Sequence, residues 1–426
     1  MRKYIIIVLA SSLLLLAGAC RKEADYIPYV GENSKLAYST YTEQFQYLWK
    51  CMSTGYVFWD IDTVDWDAAY ERYLPRFEAL DKKYSDSGYV RTAELNELYL
   101  GLVGKMRDHH MTFIVKNMHP APGDTDPRVI IQPGLLEVSG RDYYIESRSD
   151  AQKGMKAFIA GLSGQYPSVS EQDSASAVIP EMGGMTVFYH YCLFTLADGR
   201  HVPYLWTTNA AITPVMRDMA GSPAQLLLDR WLTAVCTNPR NQLAGIILDT
   251  RSNGGGYQDD LDYLVGSFIN SRKEILMTRY KEGPGRLEYS AWCPYYIDPN
   301  ADYHRDITAE NIPYVVLVDI NSVSMAEIEP MTIKATFPSA YIIGERTFGG
   351  TCPLQNDAVD LGYGGPFGNI TSYNHYVYTS TFEALIGGRT RESEGITPDE
   401  TVLRKDDPSH SFKPQLDAAL NYIANH

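Results

Sequence analysis

The chain has 426 residues, 45% hydrophobic and 12% aromatic, enough for two or three domains with real cores. Its 37 Lys and Arg stand against 52 Asp and Glu, a formal charge of −15, with no basic cluster after the first residues. Sequence-independent nucleic-acid binding needs the opposite sign, so that class of function is excluded.

Arg2 and Lys3 precede an apolar run over residues 4–16. That run is short for a membrane span and suits the core of a secretory signal. Ala17, Gly18 and Ala19 lead into Cys20, and the whole resembles a bacterial lipoprotein signal with Cys20 as the lipidated first residue of the mature chain. The resemblance implies removal of residues 1–19 and a polar tether over 20–35. It also implies contact with a membrane through the lipid, in the cell envelope, at the outer membrane on its periplasmic or surface face. Five further cysteines, at 51, 192, 236, 293 and 352, show no CxxC or other metal-ligand spacing. Cys51, Cys192 and Cys236 sit in apolar patterns and are read as buried fillers.

Residues 36–116 read as a helical domain. Phe45, Leu48, Trp49, Met52 and Tyr56 mark one buried helical face. Asp65 is placed to cap a second helix, which carries Trp66, Tyr70, Tyr73 and Leu74 and is expected to stop at Pro75. A third helix over 92–106 ends in Arg107-Asp108-His109-His110 and feeds a strand at 113–115. Residues 117–221 read as a β-rich insert with two hairpins. One is turned by Ser139-Gly140-Arg141-Asp142 and the other by Ala197-Asp198-Gly199-Arg200. Residues 222–426 alternate strand and helix. A helix capped by Ser222 is followed by a buried strand at 243–248 and by the turn Asp249-Thr250-Arg251-Ser252-Asn253-Gly254-Gly255-Gly256. Buried strands follow at 314–318 and 341–343, then a strand pair over 370–378 and 381–385 and a last helix over 414–423. This alternation predicts an α/β fold class for the core.

Three places carry chemistry. Ser324 stands at a strand-to-helix corner, where the first N–H groups of the helix are unpaired and partly positive. Such a corner suits a nucleophilic hydroxyl, and equally an ordinary helix cap. Three glycines after a buried strand can make a tight turn or present N–H groups to an anion, but the run lacks the Gly-Lys-Ser/Thr of a phosphate loop. An activated serine needs a base. Lys334 would lie about 15 Å along the helix, so a histidine delivered by another domain is the better candidate.

Together these segments resemble the C-terminal-processing serine peptidases, within them the tricorn-core and retinoid-binding-protein-like branch. The carrying residues are Leu48-Trp49, Tyr56, residues 65–70, Asp108-His109-His110-Met111, the 249–256 turn, Ser324-Met325-Ala326-Glu327 and Glu392 before Gly395. The resemblance implies a crotonase-like α/β core with an N-terminal helical domain. It puts the insert where relatives carry a peptide-binding PDZ domain, here as a diverged copy. It implies Ser324 as nucleophile, His110 as base and Glu392 as acid, with Gly254, Gly255 and Met325 lending oxyanion N–H groups. No metal and no organic cofactor is implied, and the substrate is a peptide or unfolded protein. His109 departs from a serine that some members use to link base and acid, and Met111 and Pro330 depart as well. Two alternatives stand beside this reading: a catalytically impaired peptide-binding lipoprotein on the same fold, and an acyl-CoA-type enzyme that does not need Ser324.

Overall fold

The computed structural model describes residues 39–239, 241–283, 285–352 and 375–426. The signal, Cys20 and the tether lie outside them. Three helices open the described chain: α1 (Tyr41–Gly55), α2 (Trp66–Ser87) and α3 (Thr92–Val103). Asp65 caps α2 as expected, accepting from Ala68 N–H at 3.0 Å. The helix does not stop at Pro75 but runs on to Ser87. Pro75 removes one backbone bond, while Phe77 and Leu80 beyond it are buried in the helical core, and that burial outweighs the loss. Trp49, Trp66 and Tyr99 fill this core together with Phe113 and Val377. The last two lie on strands β1 (Thr112–Lys116) and β11 (His375–Tyr378), which form a small sheet with β2 (Arg128–Ile131).

Two more helices follow, α4 (Pro133–Ser139) and α5 (Arg148–Ala160). The first expected hairpin is therefore not formed, because Pro133 starts a helix through the residues read as its first strand. The second hairpin is formed by β4 (Met185–Thr195) and β5 (His201–Thr207), with β3 (Val169–Ile179) along its outer edge.

After α6 (Pro223–Thr237) come β6 (Ile246–Asp249), β7 (Lys273–Tyr280), β8 (Cys293–Ile297), β9 (Tyr314–Val318), α7 (Met325–Thr336) and β10 (Ala340–Gly344). The chain closes with β12 (Phe382–Ile386), β13 (Glu400–Thr401) and α8 (Lys413–Ala424). One seven-stranded sheet runs β13-β10-β9-β6-β5-β4-β3, parallel from β13 to β5 and antiparallel beyond. The stretch read as a separate, PDZ-like insert thus supplies the antiparallel end of the core sheet. β5 has a buried face toward β6, and closing that edge satisfies its backbone groups. Of the expected pairing of 370–378 with 381–385, residues 370–374 lie outside the described residues, and in the described part β11 joins β1 while β12 joins β7.

Alternate residues of β9 face opposite layers, the two-residue period of a strand buried on both sides. Tyr314, Val316 and Val318 pack with α6 and α7, and Val315 and Leu317 pack with α5 and α8. At the end of β6 the buried Arg251 is hydrogen-bonded to Asp249 and reaches Phe412 O at 2.7 Å and Gln415 Oε1 at 2.9 Å. The last two hydrogen bonds tie the glycine turn to α8. Arg251→Ala strands a buried carboxylate and is expected to cost about 3–5 kcal/mol in urea unfolding.

Candidate active site

Ser324 occupies the corner between β9 and α7, with φ 63° and ψ −125°. That backbone region is disfavoured for a side chain and costs of order 1–3 kcal/mol. Two hydrogen bonds hold it there. Ser324 N–H donates to Gly350 O at 2.8 Å and to Glu327 Oε2 at 3.3 Å. The other Glu327 oxygen accepts from Gly349 N–H at 2.8 Å and from the Thr347 hydroxyl. Glu327 is buried, and burial lifts its carboxyl to about 7. The Ser-x-x-Glu spacing therefore has a structural use of its own, joining the corner to the loop after β10.

His110 reaches the same loop from the helical part. A Cβ built on Gly350 would lie 3.2 Å from His110 Cε1, 3.3 Å from its Nδ1 and 3.0 Å from Val323 Cγ2. So the imidazole lies over the residue whose carbonyl fixes Ser324. Both ring nitrogens are buried without a hydrogen-bond partner among the described residues. Burial first, then the charges of His109 and Arg148, push its pKa down to about 3. The ring is neutral above that pH.

A polar atom from each of His110, Asp108 and Glu392 lies within 4.8 Å of the others. Glu392 is buried and takes His109 N–H on Oε1 at 2.8 Å, with Thr351 and Cys352 N–H on Oε2 at 2.8 and 2.9 Å. Asp108 is buried and accepts from His110 N–H at 2.9 Å, Ser380 N–H at 2.7 Å and the Ser380 hydroxyl at 3.0 Å. Burial lifts Asp108 to about 6, and burial with the Asp108 charge lifts Glu392 well above the usual carboxylate range. Such a trio can ligate a metal, but both carboxylates here already receive backbone donors on each oxygen. Asp108 had no assigned role in the sequence, although it stands two residues before His110. His109 replaces a linking serine in a different way. Its backbone meets Glu392, while its Nδ1–H donates to Phe348 O at 3.0 Å. Cys352 Sγ accepts from Ala384 N–H at 3.4 Å, and burial raises its thiol well above the usual value, so it packs rather than reacts.

The glycine turn meets the corner only in part as expected. Gly255, at φ 80°, presses on it: a Cβ there would come within 2.5 Å of Ser324 Cβ and 2.9 Å of Met325 N. Met325 N–H, first in α7, has no acceptor within the helix. Gly254 N–H, however, donates to Thr208 O at 3.0 Å, and Gly255 N–H to Asn253 Oδ1 at 2.8 Å. In this structure neither glycine amide points free, because the turn satisfies its own buried donors.

A strained serine at the mouth of a mixed sheet, with a buried imidazole and carboxylates beside it, defines a serine-hydrolase class of site. Residues 228–402, most of the α/β core, match the family model of peptidase family S41. That domain match supports a serine-type peptidase. No curated protein matches the sequence. Among solved structures, the chain is similar to a candidate peptidase from Parabacteroides merdae, with 19% identity, a TM-score of 0.59 and coverage of 91% of this chain and 97% of that one. It is also similar to mature CPAF complexed with lactacystin, with 12% identity, a TM-score of 0.53 and coverage of 91% and 99%. Gly255→Ala would meet both the positive φ and the Ser324 contact. We expect kcat/KM to fall at least about 100-fold through misplacement of Ser324, measured beside an unchanged circular-dichroism spectrum.

Proposed function

We propose that this chain is an envelope serine peptidase in which Ser324 is the nucleophile and His110 its base. The observation that carries the reading is the meeting at Gly350 of a strained serine corner and an unpartnered imidazole. Ser324 Oγ gives its proton to His110 and attacks the scissile carbonyl carbon, forming a tetrahedral oxyanion. Met325 N–H donates to that oxyanion, and the Gly255 amide joins it when it turns from Asn253. The imidazolium is stabilised by Glu392 and Asp108 and returns its proton to the leaving amine. Water, activated by the same imidazole, then releases the acyl group from Ser324.

Peptide or unfolded-protein substrates follow from the class. Anchoring through a lipid on Cys20 follows from the leader pattern alone, and Cys20→Ser is expected to move the protein from the membrane to the soluble fraction. Among the described residues no helix is long and apolar enough to cross a membrane.

A fluorophosphonate probe tests the nucleophile. Wild type should label, Ser324→Ala should not, and His110→Ala should label at least about 1,000-fold more slowly. Undiminished labelling of folded Ser324→Ala would sink the assignment. The pH profile tests the carboxylates. His110, lowered to about 3, is already neutral above that pH and sets no limb near 6.5. Asp108, raised to about 6, must ionise to support the imidazolium, so kcat/KM should rise with pH through about 6. Asp108→Asn should move that rise, because Glu392, also raised, then sets it without the Asp108 charge; a limb left unmoved would assign it elsewhere.

A further inference from the structure

Arg148 is the first residue of α5 and has no part in the mechanism above. Its position is fixed by the helix behind it. One turn on, Gln152 Nε2 donates to Thr208 O at 3.2 Å and to Ser252 O at 2.9 Å. Met155 and Ile159, continuing the same face, are buried in the sheet core. Thr208 O also accepts Gly254 N–H, so the start of α5 and the glycine turn beside Ser324 form one hydrogen-bonded piece. At its rim Arg148 Nε donates to Asn321 O at 3.2 Å, three residues before Ser324. Arg148 Nη1 lies 3.4 Å from the point where a Cβ on Gly254 would stand. The next residue, Gly255, is the one pressed against Ser324.

Among the described residues no carboxylate forms an ion pair with this half-buried guanidinium, and Nε is its one nitrogen with an acceptor. The acids whose charge it feels are Asp319 and Glu327. Both are turned to other donors. Asp319 takes Ser252 N–H at 2.8 Å and Asn321 N–H at 3.0 Å, and Glu327 takes Gly349 N–H at 2.8 Å. Burial disfavours the Arg148 charge by more than those two acids offset. The other arginines nearby are closed: Arg141 pairs with Glu137, and Arg346 donates to Glu394 O at 2.6 Å. A cation with open Nη groups, held beside the nucleophile's turn, is a receptor for a planar anion.

We propose that Arg148 is a specificity-determining residue that receives a substrate carboxylate beside the scissile bond. The site then favours peptides with an acidic group there over their neutral isosteres. An extended peptide advances about 3.3 Å per residue, so a group one or two residues from the reacting carbonyl spans the step from Ser324 past Gly255 to Gly254. The carboxylate is either an Asp or Glu side chain or the free α-carboxylate of a chain end. This inference rests on the serine-peptidase reading and names its substrate class.

The test uses acetylated peptide pools that differ only in charge. One pair has a free or an amidated C-terminus, and the other has Asp and Glu or Asn and Gln at internal positions. Wild type, Arg148→Gln and Arg148→Lys digest each pair, and mass spectrometry gives the ratio of kcat/KM for acidic over neutral members. Wild type is expected to show a ratio of about ten or more in one pair, which identifies the source of the carboxylate. Arg148→Gln should bring it near one, and Arg148→Lys should restore part of it, with thermal melting of both variants checking the fold. A wild-type ratio of one in both pairs, or a ratio unmoved by Arg148→Gln, overturns the inference. The same pools bound to Ser324→Ala, with and without Arg148→Gln, report the preference without turnover. Loss of serine chemistry would show as absent turnover and absent fluorophosphonate labelling. Failure of the Arg148 inference alone would show as turnover or binding indifferent to charge.

Discussion

The site depends on a carboxylate that cannot be left alone in the interior. Glu392 is buried, and an unpaired buried carboxylate costs several kcal/mol. It is met by N–H groups from His109 at the end of the helical part and from Thr351 and Cys352 beyond β10. Three distant stretches of chain are thereby fixed to one another. Asp108 repeats the device with Ser380 and with the His110 backbone. Since His110 follows directly from residues held in this way, its ring is carried to Gly350 by the satisfaction of acids rather than by any bond of its own.

The Ser324 corner is stabilised by the same logic. Glu327 accepts from Ser324, Thr347 and Gly349, so the strained backbone at Ser324 and the loop under His110 share one buried acceptor. The Ser-x-x-Glu spacing forms a capping box, and the backbone bond to Glu327 holds the corner in an unfavourable conformation. Pro330, a departure from the family pattern, leaves α7 intact to Thr336. The apolar residues around it are buried against the sheet, and a single missing donor in mid-helix does not release them.

Where the sequence reading failed, it failed on choices that neighbouring segments make. Pro75 looked like a stop, but Phe77 and Leu80 beyond it are buried. Residues 135–145 read as a hairpin because apolar residues flank a glycine-containing turn, a pattern that a short helix satisfies equally. The strands at 169–207 looked like an insert because a two-residue period says nothing about which sheet a strand joins. Gly254 looked like an oxyanion donor until the carbonyl of Thr208 took its N–H. Arg148 carried no local signal, since one arginine at a helix start is ordinary. Its mark is that no carboxylate among the described residues pairs with it.

The sequence by itself determined the buried strands, the capped helices, the serine corner at Ser324, the glycine turn and the resemblance to serine peptidases. Each of these is written in residues close together, where periodicity and backbone preference act. Tertiary structure alone decided that β3 to β5 complete the core sheet, that Asp108 and Glu392 stand together, that the glycine amides are occupied and that Arg148 meets no carboxylate among the described residues. Those outcomes depend on which buried donor meets which acceptor across hundreds of residues, and a linear pattern does not encode that pairing.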